Sequence, residues 1–93
     1  MELAALVASG TEAVPAFTEH RPDVTLMDLD LPSGEGIAAI QQILQIDPAA
    51  CIIGLLTYEE DESRGDALRA GARSCLTKDR LNQELASLIR ESC

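Results

Sequence analysis

Basic residues are scarce in this chain: seven Lys plus Arg stand against sixteen Asp plus Glu, a formal charge of −9. A surface of that sign repels polyanions, so nucleic acid is not expected as a direct partner. Long hydrophobic runs are missing as well. None approaches the roughly 18 residues a membrane-spanning helix needs, and Met1-Glu2-Leu3-Ala4-Ala5-Leu6 carries no basic segment ahead of an apolar one. Neither membrane insertion nor secretion is indicated, and a cytoplasmic protein is the expectation. Cysteine occurs only at 51, 75 and 93, an odd number without metal-like spacing. Cys51 and Cys75 lie in apolar contexts where a thiol packs as a small hydrophobe, which predicts a reduced protein. Repeats, linkers and low-complexity tracts are also lacking, and 93 residues leave room for one hydrophobic core. The expectation is a single domain over residues 1–93 with no linked output domain.

Apolar material is ample. Leu, Ile, Val and Phe make up 24 of the 93 residues, enough to build a compact fold. Charge is segregated: residues 1–62 hold one basic and twelve acidic residues, whereas 63–93 hold six basic and four acidic. That contrast implies either neutralisation across a folded surface or a basic partner-binding face.

Short apolar runs alternate with helical patterns, the rhythm of an α/β sheet. Val24-Thr25-Leu26-Met27-Asp28 is the clearest strand, introduced by Arg21-Pro22-Asp23 and closed by the Pro32 to Gly36 turn region. Ile37, Ile40, Ile43, Leu44 and Ile46 recur at helical spacing, with Asp47-Pro48 as the stop. Cys51 to Leu56 is an uninterrupted apolar run, suited to a parallel strand covered on both faces. The acidic loop Glu59-Glu60-Asp61-Glu62 follows Thr57-Tyr58, and a helix through Ala67, Leu68 and Ala70 ends at Gly71. Ser74 to Thr77 reads as a short strand, and Leu81, Leu85, Leu88 and Ile89 mark a last amphipathic helix. Ahead of these, Glu2 to Ala8 reads as strand, then a short helix with Pro15 in its first turn and a cap at or near Thr11.

Ligands of open parallel sheets bind beyond the carboxyl ends of the strands, and Asp28, Thr57 and Lys78 fall at three such ends. A carboxylate there can attack phosphorus, a hydroxyl can donate to a phosphoryl oxygen, and an ammonium can neutralise its charge. Taken singly, each has a plainer role: Asp28 as a loop cap, Thr57 in a local turn, Lys78 as a surface charge.

Together these residues resemble the receiver domains of bacterial two-component response regulators. The likeness rests on Arg21-Pro22-Asp23-Val24-Thr25-Leu26-Met27-Asp28-Leu29-Asp30-Leu31-Pro32, on Gly34-Glu35-Gly36, on Thr57 to Glu62, and on Ala67-Leu68-Arg69-Ala70-Gly71-Ala72 followed by Leu76-Thr77-Lys78-Asp79. It is strongest toward the transcription-factor type with a helix-turn-helix output. The resemblance implies a flavodoxin-like, three-layer α/β fold with a parallel sheet, and phosphorelay signalling rather than enzymatic turnover. It further implies Asp28 as phosphoacceptor, Lys78 and Thr57 as phosphoryl contacts, and Mg²⁺ held by Asp28 and the backbone carbonyl of Asp30. A histidine kinase or another signalling protein is the implied partner, with a second copy of the chain as a further one.

The sequence departs from that pattern in three places. It starts at what corresponds to the family's second strand, so the fold should be incomplete, lacking the first strand and helix along with the acidic pair that completes the Mg²⁺ site; metal binding should then be weak. The first remaining strand would close onto Val24 to Asp28, stay unpaired, or be completed by another chain. Aligning Asp28 and Tyr58 with the family places the switch hydroxyl on Leu56, one residue before Thr57, and a one-residue slip reverses every side chain. Cys75 replaces the aromatic of the last strand. The alternatives are a degenerate pseudo-receiver working by protein contact, and a fragment of a haloacid-dehalogenase-type phosphatase, for which the order of acidic and basic segments is wrong.

Overall fold

The computed structural model describes residues 5–8, 12–30 and 34–93. Its four strands, β1 (Ala5–Ala8), β2 (Val24–Asp28), β3 (Ile52–Leu56) and β4 (Ser74–Thr77), form one parallel sheet in chain order. Helices α1 (Ala13–His20), α2 (Glu35–Ile46), α3 (Ser63–Ala70) and α4 (Leu81–Ser92) link or follow them, and a single 3₁₀ turn, Lys78–Arg80, connects β4 to α4. The α/β expectation and its three parallel strands at residues 23–28, 51–56 and 74–77 hold, with β3 starting at Ile52. The open question about the first strand is answered too. Ala5–Ala8 pairs directly with Val24–Met27, so the sheet closes without a strand between them. Residues 2–4, the proposed cap Thr11, and Pro32 lie outside the described residues.

Each strand is short and apolar because both faces of the sheet are covered. On one face Met27, Ile52, Leu56 and Cys75 pack with Phe17 of α1, Ala39, Ile40 and Ile43 of α2 and Ala67 of α3. On the other, Val24, Leu26, Ile53, Leu55 and Leu76 pack against Leu81, Leu85, Leu88 and Ile89 of α4. The two sets alternate along β2, β3 and β4, the two-residue period of β structure. Three helices therefore share one face and α4 alone covers the other. Two apolar positions of the helical patterns are exposed nonetheless: Ile46 at the end of α2 and Leu68 on α3.

Local chemistry ends the helices where the sequence suggests. The Asp47 N–H closes α2 on Ile43, and the Asp47 carboxylate accepts from the Ala49 N–H. Gly71 ends α3 at φ 119°, a conformation L side chains rarely adopt, and a Cβ there would meet Leu44 Cδ1. At α1 Glu12 holds the cap position and makes no side-chain cap bond. Ahead of α3, Asp61 Oδ1 accepts from the Ser63 N–H at 2.9 Å in a local turn, and the cap residue Glu62 makes no side-chain cap bond.

The reading of three reduced thiols is corrected. Cys51 and Cys93 form a disulfide with their Cα atoms 5.8 Å apart, leaving Cys75 as the free, buried thiol. The sequence separation of 42 hides the pair; packing α4 over β3 brings the chain end back to the strand's entrance. Burial pushes the Cys75 thiol above its ordinary pKa, a state unsuited to nucleophilic work.

Two expected outcomes follow from the packing. Thr25 is fully buried and its hydroxyl is without a hydrogen-bond partner. Thr25→Val keeps the shape and removes the orphaned group, so urea unfolding should show a gain of about 1–2 kcal/mol; an unchanged or lower value would contradict this. Opening the Cys51–Cys93 bond should cost about 2–4 kcal/mol by freeing the unfolded chain. Unfolding with and without reductant measures it, and Cys93→Ser should show the same loss with no further response to reductant.

Candidate functional site

β2 leaves the sheet at Asp28, β3 passes into Thr57, and β4 passes into Lys78. Leu26, Leu55 and Leu76 lie on the α4 face, and two residues further along each strand come Asp28, Thr57 and Lys78. The period that buries the leucines thus delivers all three polar groups to the same corner of the sheet. Leu56, by contrast, is fully buried in the core under α1, α2 and α3. The hydroxyl that reaches this site is that of Thr57, one position beyond the residue that the family alignment pairs with the switch hydroxyl. A one-residue slip would exchange the two, and packing on both faces forbids it.

Lys78 binds the group together. Its Nζ lies 2.8 Å from Asp30 Oδ2 and 3.2 Å from Asp28 Oδ1. The Asp30 N–H donates to Asp28 Oδ1 at 2.9 Å, a local turn that folds the loop back over the strand end. The Thr57 hydroxyl donates to Asp30 Oδ2, and the Thr57 N–H approaches Asp30 Oδ1 at 3.4 Å. Asp30 thus enters through its side chain, whereas the sequence reading used only its backbone carbonyl. Lys78, with help from Thr57, holds the Asp30 carboxyl below the ordinary carboxylate range. Reciprocally, Asp30 and then Asp28 push the Lys78 ammonium above its ordinary value, against a smaller opposing effect of burial.

Behind these groups the backbone is tight. At Gly36, in the first turn of α2, a Cβ would stand 2.7 Å from the Asp28 carbonyl oxygen, so only glycine permits this approach. Cys75 borders a cavity of about 200 Å³ that Arg64, Thr77, Arg80 and Glu84 also line. The site's donors do not fit Mg²⁺. That ion takes near-octahedral oxygen ligation, yet both carboxylates are bonded to Lys78 and no group of three His, Cys, Asp or Glu among the described residues could hold a metal.

Comparison with known proteins identifies the fold and the site's setting. Residues 1–90 match the response regulator receiver domain family. The chain belongs to this family. It is 36% identical over 91 residues to the oxygen regulatory protein NreC of Staphylococcus haemolyticus, covering 97% of this chain and 42% of that protein. The chain therefore spans well under half the length of the curated relatives it matches. Among solved structures, a LuxR-family two-component response regulator from Aurantimonas sp. SI85-9A1 is similar at 32% identity and TM-score 0.75, over 90% of this chain and 63% of that one. The receiver domain of the sensor histidine kinase PA1611 from Pseudomonas aeruginosa, whose structure has a magnesium ion in its active-site cleft, is similar at 30% identity and TM-score 0.77, over 94% of this chain and 73% of that one. No helix among the described residues is long and apolar enough to cross a membrane.

The ion pairs give this receiver domain a pH signature. Because the Asp30 pKa is lowered in the folded state, its contribution to stability is complete above the ordinary value of 3.8 and is lost as pH falls through the depressed one. Lys78 behaves oppositely, contributing fully below 10.5 and losing that contribution as pH rises through its raised folded value. Urea unfolding of the wild type and Asp30→Asn across this range should show a wild-type advantage of no more than about 1 kcal/mol at neutral pH. It should vanish in acid; an advantage that persists at low pH would contradict the assignment.

Proposed function

We propose that Asp28 is the phosphoacceptor of this receiver domain and that Lys78 and Thr57 receive the phosphoryl oxygens. The observation that carries this reading is the Lys78 ammonium within 3.2 Å of the Asp28 carboxylate at the open end of the sheet. Asp28 Oδ1 already accepts from the Asp30 N–H and from Lys78, so Oδ2 is the oxygen presented for attack. Oδ2 forms the new bond to phosphorus as the donor's P–N or P–O bond breaks, and the leaving group departs with the bonding electrons. An acylphosphate results. Charge spreads over the equatorial phosphoryl oxygens during transfer, and an ammonium and a hydroxyl at fixed positions stabilise it. A histidine kinase supplies the phosphoryl group in this reading, within the cytoplasm, and a second copy of the chain is a further partner.

Among the described residues the site offers no donor set suited to Mg²⁺, so transfer should be slow. Incubation with acetyl phosphate, followed by intact mass, should show gradual addition of one phosphoryl group, little changed by added Mg²⁺ and abolished in Asp28→Asn. Fast, strongly Mg²⁺-dependent labelling would show that the site assembles a metal cage. No labelling under any condition would overturn the acceptor reading in favour of a pseudo-receiver acting by contact.

A further inference from the structure

The Thr57 hydroxyl has one proton to donate, and it is committed to Asp30 Oδ2. That oxygen also accepts from the Lys78 ammonium at 2.8 Å. Two donors thus converge on a single anionic oxygen, the arrangement a phosphoryl oxygen would require. Resting on the proposed role of Asp28, we infer that the Asp30 carboxylate is a built-in competitor for the incoming phosphoryl group, occupying its contacts until displaced.

Three features make Asp30 a gate that can open. Its backbone is anchored, because its N–H is bonded to Asp28 Oδ1, so the carboxylate returns to the same place. Its side chain is 25% exposed, leaving a path for rotation into water. Its charge opposes the product, since an acylphosphate on Asp28 would set a phosphoryl group of like sign beside it. Lys78 can serve both anions with its three protons; Thr57 cannot. Transfer therefore draws on the fraction of molecules in which Asp30 has released Thr57, and the apparent reactivity falls by that fraction.

The test compares second-order rates of acetyl phosphate labelling, by intact mass, for wild type, Asp30→Asn and Asp30→Ala, with circular dichroism to establish that each variant is folded. Both variants should label Asp28 about tenfold faster than wild type, the scale of releasing one charge-assisted hydrogen bond. A second measurement separates competition from a general loosening of the loop. Thr57→Val should slow the Asp30→Asn protein severalfold yet change the wild type little, because there it removes a phosphoryl contact and the competitor's hold together. Variants no faster than a labelled wild type, or additive effects of the two substitutions, would overturn the inference while leaving Asp28 as acceptor. Absence of labelling in every protein would overturn both.

Discussion

Packing on both faces of a parallel sheet is the constraint from which the rest of this structure follows. Strands β2, β3 and β4 must each direct one set of alternate residues toward α1, α2 and α3 and the other toward α4. Moving a strand by one position would expose Leu26, Leu55 or Leu76 to the wrong layer, so register is held by the whole core rather than by any one contact. The site at the carboxyl edge inherits this precision. Asp28, Thr57 and Lys78 come from strands separated in sequence, yet they meet because the leucines behind them are locked.

Much of this was legible in the residue pattern, for physical reasons. Apolar runs bounded by Pro, Gly and Asp marked β2, β3 and β4, and the isoleucine spacing marked α2 up to Asp47. What escaped was everything that depends on partners distant in the chain. Direct pairing of β1 with β2 is a choice among strands that local pattern does not encode. The Cys51–Cys93 bond depends on where α4 ends relative to β3. The part of Asp30 was missed because alternation stops at the strand end, and a turn closed by the Asp28 carboxylate decides where the next acidic side chain lies. The contact of the Thr57 hydroxyl with Asp30 likewise joins residues far apart in the chain, and local pattern does not encode it.

Electrostatics complements the packing. The acidic first two-thirds of the chain and the more basic remainder are joined where Lys78 contacts Asp28 and Asp30, while Arg21 approaches Asp47 at 3.9 Å within the acidic part. Arg69 and Arg80 are paired locally, with Asp66 and Glu84. Four of the seven basic residues, Arg21, Arg69, Lys78 and Arg80, thus sit in separate ion pairs. Most of these pairs are exposed and contribute little to stability. The contacts of Lys78 differ in consequence because they set the protonation and orientation of groups at the sheet edge.

The isolation of α4 on its own side of the sheet has a mechanical consequence. Its twelve residues form a rod roughly 18 Å long. One end is joined through the Lys78–Arg80 turn to the lysine that grips both carboxylates, and the other is riveted to β3 by a covalent bond. Between those ends Leu81, Leu85, Leu88 and Ile89 press it onto the sheet, so the rod is held along its length as well. With the rivet opened, that packing and the Lys78–Arg80 turn are what remain to hold it.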